Sequence, residues 1–268
     1  MSRNKDGDRK RRGQVSCEII TQYKSEANEV LISLLSNRSA QARTAAATIL
    51  GKRKSEIAIQ SLCAALMTEK ALYTRLAICE ALASIGEAAI DPLINLLGKI
   101  GSNQHCELPQ KGFYKRSYPL PRDIAARTLI RMGLPVLNYV EPVLQTGERI
   151  QILEAVDVIG HISNRYGNDQ CLESLLALYG ASVSDDLLRW KLLRSFQAFP
   201  HPQVTDILLQ VIGTSTVSSL RWEALRSLGL QEREFDRQIL VELHKDGDRE
   251  NQRVVDFYFP KPQTVIID

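Results

Sequence analysis

Six stretches of this chain repeat one another, and each begins at an arginine. Arg43, Arg75, Arg122, Arg149, Arg189, Arg221 and a seventh, Arg253, are separated by 32, 47, 27, 40, 32 and 32 residues. After each of the first six, small or aliphatic residues fall three, four, six and seven positions on, and a helix-ending signal comes eight to eleven positions on. Self-similarity of this period belongs to stacked helical repeats, which constrains the fold before any composition is considered.

With arginine at position zero, the repeats read RTAAATILG, RLAICEALASIG, RDIAARTLIRMG, RIQILEAVDVIG, RWKLLRSFQAFP and RWEALRSLG. The apolar positions three, four, seven and ten form one stripe of an α-helix. Gly86, Gly133 and Gly160 share position eleven, where glycine suits a left-handed cap, and Pro200 stops the fifth repeat in the same slot. Upstream of the arginines lie second apolar segments, among them EVLISLLS, IQSLCAALM, IDPLINLLG, LESLLALYG and TDILLQVIG. The unit is therefore helix A, turn, helix B. Neither helix buries its stripe alone, so neighbouring pairs must stack. Near Arg253 the pattern degrades: Asp256 takes a core slot and Pro260 ends the run, as expected of a terminal cap.

The pattern R-x-x-A-A-x-x-L-G-x-I-G on helix B, preceded by an apolar helix A, resembles the HEAT-repeat superfamily in its short, phycobilisome-lyase HEAT-like form. The resemblance covers about residues 27–233. It implies an all-α, right-handed solenoid of about six to seven stacked helix pairs. The expected organisation is a basic arm without order at 1–13, a single array at 14–259 with a cap at 234–259, and a tail at 260–268. The superfamily often places an aspartate four residues before the arginine, and in this register only Asp185 does so.

Charge and cysteine usage narrow the setting. Net charge is only +3, but Arg3, Lys5, Arg9, Lys10, Arg11 and Arg12 crowd the first 13 residues. Such a segment is either a solvated tail or an arm for nucleic acid or anionic lipid. No apolar run reaches the ~18 residues of a membrane span, and no hydrophobic signal core stands at the start. Five cysteines, without C-x-x-C, fit a reducing compartment, so the expected location is cytoplasmic.

Two places depart from the repeat. The 47-residue gap holds GSNQHCELPQKGFYKRSYPLP at 101–121, a long loop with Phe113, Tyr114, Lys115, Arg116 and Tyr118 in a basic-aromatic cluster. Its aromatics either pack back on the array or present a binding surface. The second place is helix B. Positions one and five share a helical face, and there repeats five and six carry Trp190 with Arg194 and Trp222 with Arg226. Arg127 holds position five of repeat three, and Arg131 follows one turn later. These residues form either groove-filling cation–π stacks or a Trp/Arg recognition patch. The arginines at position zero are read as framework.

Each catalytic class known on related repeats demands particular residues. Deoxyhypusine hydroxylases, a related class, need His-Glu iron ligands, and none of His105, His161, His201 and His244 precedes a glutamate. Alkylpurine glycosylases of this fold need an aspartate beside the tryptophans on the concave face. Phycobilin lyases share a Tyr-Pro-Leu-x-Arg stretch resembling Tyr118–Arg122. P-loop, G-x-G-x-x-G, G-x-S-x-G and H-E-x-x-H motifs are missing. The expectation is a non-catalytic scaffold for an unidentified protein partner, without cofactor or metal. Chromophore handling of the phycobilin-lyase kind stands as the alternative, and nucleic-acid binding or glycosylase activity ranks behind it.

Overall fold

The computed structural model describes residues 5–231 and 242–260. Among these residues the secondary structure is helical, without strands. The chain opens with α1 (Lys5–Arg11), α2 (Cys17–Tyr23), α3 (Asn28–Leu34), α4 (Ala40–Lys52), α5 (Ile59–Thr68), α6 (Leu72–Ile85) and α7 (Ile90–Ile94). After the long loop come α8 (Ile124–Met132), α9 (Val136–Val140), α10 (Val143–Thr146) and α11 (Arg149–Tyr166). The rest comprises α12 (Leu172–Ala181), α13 (Asp186–Ser195), α14 (Pro202–Thr214), α15 (Ser218–Gly229) and α16 (Arg249–Tyr258).

Where one array was expected, the chain divides into two compact units. Unit 1 holds the described residues up to Gln104 with Pro121–Val143 and Gly147–Glu154. Unit 2 holds His105–Leu120, Leu144–Thr146 and the described residues from Ala155 onward. The terminal cap expected at 234–259 lies partly outside the described residues, as do 1–4 of the arm and 261–268 of the tail.

Within the basic arm, Lys5–Arg11 form α1, and the residues after it are held in unit 1. The Arg12 carbonyl accepts the Tyr73 amide at 3.0 Å, and the Gln14 carbonyl accepts Gln41 Nε2 at 2.7 Å. Between them Gly13, at φ 87°, faces the Thr44 and Thr74 hydroxyls so closely that a Cβ would lie 2.5 Å from Thr74 Oγ1.

Helix B is where the repeat becomes physical. Arg43, Arg75, Arg127, Arg189 and Arg221 are each the fourth residue of α4, α6, α8, α13 and α15. The structure therefore moves the repeat-three framework arginine from Arg122 to Arg127. Arg122 precedes α8 and is exposed, Arg149 is the first residue of α11, and Arg253 pairs at 3.3 Å with Glu250 on an exposed face of α16. In the corrected register Asp123 joins Asp185 as an aspartate four residues before its arginine. Both cap their helices, Asp123 by accepting the Ala126 amide at 2.7 Å and Asp185 the Leu188 amide at 3.1 Å. At α16 the register also shifts, so Asp256 is exposed and Val254, Val255 and Tyr258 fill the core.

In Arg43 and Arg221 the framework arginine clamps two things at once, and Arg127 keeps the first of them. Arg43 Nη1 donates to the Asn37 carbonyl at 2.7 Å, Arg127 Nε to the Pro121 carbonyl at 2.5 Å and Arg221 Nη1 to the Ser215 carbonyl at 2.9 Å. Each carbonyl lies six residues upstream. The rest of the guanidinium reaches the next repeat. Arg43 binds Glu69 through Nε and Nη2 at 2.7 and 2.9 Å, and Arg221 binds Asp246 in the same way at 2.8 and 3.3 Å. Such forked, charge-assisted pairs fix orientation as well as distance.

Glycine has two uses here. Gly86 and Gly133 end their helices at φ 97° and 81°, as the pattern predicts. The pattern marks Gly51, Gly160 and Gly229 as stops too: α4 ends one residue after Gly51 and α15 ends on Gly229, whereas Gly160 lies inside α11. All three also permit close approach: a Cβ on Gly51 would lie 2.5 Å from Ala81 Cα, and one on Gly229 would lie 2.5 Å from Tyr258 Cβ.

The Glu69 carboxyl is raised by burial, but hydrogen bonds from Arg43 and the Ala71 amide outweigh this and hold it below the usual carboxylate value. A depressed carboxyl stabilises the fold above its unfolded pKa and loses that contribution as pH falls through the folded value. Glu69→Gln should therefore cost about 1–2 kcal/mol near neutrality. The gap between native and variant urea midpoints should close below about pH 4. A gap that persisted in acid would show that the ion pair is not its source.

Candidate functional site

In unit 2 the repeats supply a face and the long loop covers it. Trp190 on α13 and Trp222 on α15 meet edge to face, with ring centroids 6.1 Å apart. They are 0% and 2% exposed, so neither is a surface residue. One turn further along, Arg194 lays its guanidinium over the Trp190 ring at 3.8 Å. Arg226 is fully buried and donates to Glu223 Oε1 at 2.7 Å and Gln197 Oε1 at 2.9 Å. The second Glu223 oxygen takes Arg194 Nη2 at 3.5 Å, so one carboxylate bridges both arginines. Beside them the fully buried Lys191 pairs with Asp157 at 2.9 Å.

The loop closes this cluster residue by residue. His105 sets its ring edge against Trp190 at 5.0 Å, and Phe113 lies 5.3 Å from the Arg226 guanidinium. Tyr118 is buried, packs edge-on to His161 at 5.3 Å and places its hydroxyl where a Gly160 Cβ would sit. Gly160 is thus the seat of the loop. Burial raises the Tyr118 phenol far above its normal value and nearby Asp157 adds to the effect, while Arg194 and Arg226 oppose it. The phenol stays neutral, which suits a packing role. The cluster is demanding, because Trp190 Nε1, Arg194 Nε, Arg226 Nε and Asp157 Oδ1 are buried without a hydrogen-bond partner.

The outer side of the loop is tied to α16. The Gly112 amide donates to Glu250 at 2.8 Å, the Tyr114 hydroxyl donates to the same carboxylate, and the Tyr258 hydroxyl donates to the Phe113 and Lys115 carbonyls at 3.1 and 3.0 Å. Lys115 and Arg116 stay exposed. Arg116 lies 5.9 Å from the Phe257 ring, which Tyr114 also meets edge-on at 6.2 Å.

The residues singled out from sequence therefore sort into three groups. Trp190, Arg194, Trp222 and Arg226 form a buried core rather than an exposed patch, and Phe113 and Tyr118 cover it. Tyr114, Lys115 and Arg116 form the outer surface of the same loop. Arg127 and Arg131 belong to unit 1: Arg127 is a framework clamp, and Arg131 is an exposed residue 3.6 Å from Glu80. Glu223, Lys191 and Phe257 do not stand out in the sequence, and Asp157, in another repeat by sequence, is brought to Lys191 by the fold. Glu223 still carries a signal, since it stands one residue past Trp222, between the two arginines it must neutralise.

Helix pairs clamped by an arginine at one fixed helical position define an α-solenoid of short repeats. Residues 5–83 and 28–103 match the family model described as HEAT repeats, so this part of the chain is similar to HEAT repeats. That family model covers HEAT repeats in general and does not single out the phycobilisome-lyase form. No curated protein matches the chain. Among solved structures, the crystal structure of an engineered protein from the Northeast Structural Genomics Consortium is similar at 18% identity and a TM-score of 0.37, over 86% of this chain and 67% of that one. Among the described residues no helix is long and apolar enough to cross a membrane.

Glu223→Gln removes the charge that Arg194 and Arg226 share. Breaking a buried pair in this way costs about 3–5 kcal/mol. The loop should also loosen, seen as faster hydrogen exchange at residues 105–118. Native exchange in the loop, with stability lost elsewhere, would separate the loop from the cluster.

Proposed function

We propose that this chain is a protein-binding scaffold without catalysis of its own, and that it docks a partner on the outer side of the 105–118 loop. HEAT repeats generally serve as protein-interaction scaffolds, which supports the class. The observation that carries the surface is the pairing of exposed Lys115 and Arg116 with Phe257, which is 40% exposed, on a segment held from both sides. Arginine and aromatic side chains are favoured hot spots, and a loop already ordered loses little entropy on binding. Trp190, Arg194, Trp222 and Arg226 then act from beneath, as the support that keeps the loop in place.

The glycosylase-like alternative requires the Trp–Arg face to receive a ligand, and the phycobilin-lyase-like one rests on the Tyr118–Arg122 stretch alone. In the structure His105, Phe113 and Tyr118 occupy that face. The nucleic-acid alternative would draw on Arg9, Lys10 and Arg11 in the last turn of α1, and predicts binding that weakens steeply with salt.

The test is capture from native lysate with the full chain, compared with the double variant Arg116→Glu, Phe257→Ser. Both side chains are exposed, so the fold should be unaffected. At least one protein captured by the native chain should fall by about tenfold or more with the variant. An unchanged set of captured proteins would remove the loop surface from consideration.

A further inference from the structure

The two complete clamps show what a third one lacks. Glu69 and Asp246 stand two residues before the caps of α6 and α16, Ala71 and Asp248. Each carboxylate accepts the amide two residues on, at 2.7 Å from Ala71 and 2.8 Å from Asp248, and also takes the arginine of the preceding repeat. Ser215 occupies the same place before Val217, the cap of α15. It ends α14 at φ −71°, ψ 131°, where Glu69 ends α5 at φ −67°, ψ 130°. Its hydroxyl takes the Val217 amide at 3.2 Å, so it performs the local task of Glu69 and Asp246. It has no carboxylate to offer Arg189.

Arg189 shows the consequence. Its Nη2 turns back to the Tyr179 hydroxyl at 2.8 Å, with the guanidinium 4.8 Å from that ring. Its Nε, the atom that binds carboxylate in Arg43 and Arg221, is buried without a hydrogen-bond partner. Beside it lies a groove of about 400 Å³ lined by Tyr179, Val183, Asp186, Arg189, Ser215 and Val217. Val183 is 71% exposed, a large aliphatic surface next to the cation. Arg75 Nε is also buried and unpartnered, but Pro121 stands in the corresponding place before its neighbour's cap.

We infer that the groove beside Arg189 binds the carboxylate of an acidic side chain on a protein partner, with an adjacent aliphatic residue against Val183. The incoming carboxylate completes between molecules the fork that Glu69 completes within the chain. Asp186 lines the same groove, so the anion must seat against Arg189 and the Ser215 side, away from that carboxylate. The inference rests on the protein-binding reading but uses a surface other than the loop.

Panning a random peptide library against the full chain tests it. Enriched peptides should carry Asp or Glu beside an aliphatic residue. Ser215→Glu supplies the missing carboxylate internally and keeps the fold, as a cooperative melt would verify, so it should weaken those peptides by about tenfold or more. Arg189→Met should do the same, and Arg116→Glu should leave them bound. Peptides that lack an acid, that bind S215E undiminished, or that fail to enrich at all would overturn the assignment. Acidic peptides lost with R116E but kept with S215E would place recognition at the loop and overturn the Arg189 site alone.

Discussion

The interaction on which the rest depends is the fork between a helix-B arginine and the turn that begins the next helix B. One guanidinium reads two levels of the stack. In Arg43 and Arg221 it holds the carbonyl six residues upstream and a carboxylate 25 or 26 residues downstream. Apolar burial drives helix pairs together but is non-directional, so it leaves their rotation poorly specified. A bidentate pair with a planar fork specifies rotation as well as spacing. The Gly51 and Gly229 contacts show the result, since helices approach so closely there that even a methyl group would be displaced.

Unit 2 adds a second use of arginine under different physics. Arg194 and Arg226 lie in the core, where desolvation opposes any charge. They are tolerable because Glu223 bridges both and because Trp190 and Phe113 offer ring faces. The equivalent face in unit 1 needs no such arrangement: Leu76 and Glu80, at positions one and five of repeat two, are exposed. The difference is cover. A face that must lie under a loop carries large rings to fill space and charges matched in pairs, whereas an open face can carry whatever water accepts.

That contrast sets how far the sequence could be read. The periodic stripe and the arginine spacing identify stacked helix pairs, since every repeat must obey the same packing rule. Gly86 and Gly133 were legible as caps because positive φ selects glycine. Gly160, inside α11, is not a cap, because close approach also selects glycine, and only the neighbouring segments tell the two apart. Aligning on the glycine of repeat three placed Arg122 in the frame, whereas the cap at Asp123 points to Arg127. The burial of Trp190 and Trp222 was illegible for another reason. What covers Trp190 is His105, which lies in a segment with no helical period to fix its path.

The clamp also explains why function can vary in a fold whose frame cannot. At four helix-B starts the residue two positions before the cap accepts the cap amide, which Ser, Asn, Asp or Glu can perform, as Ser215, Asn37, Asp246 and Glu69 do. Only the acids also neutralise the preceding arginine. Where serine stands, the turn is intact because Ser215 still accepts the cap amide, and the apolar stripe keeps the helices stacked. The serine alters one thing, whether the arginine in the groove is satisfied from within the chain or from outside. A single side chain thus decides if a framework arginine stays structural or faces a ligand, and it does so at a position that a search for conspicuous surface residues passes over.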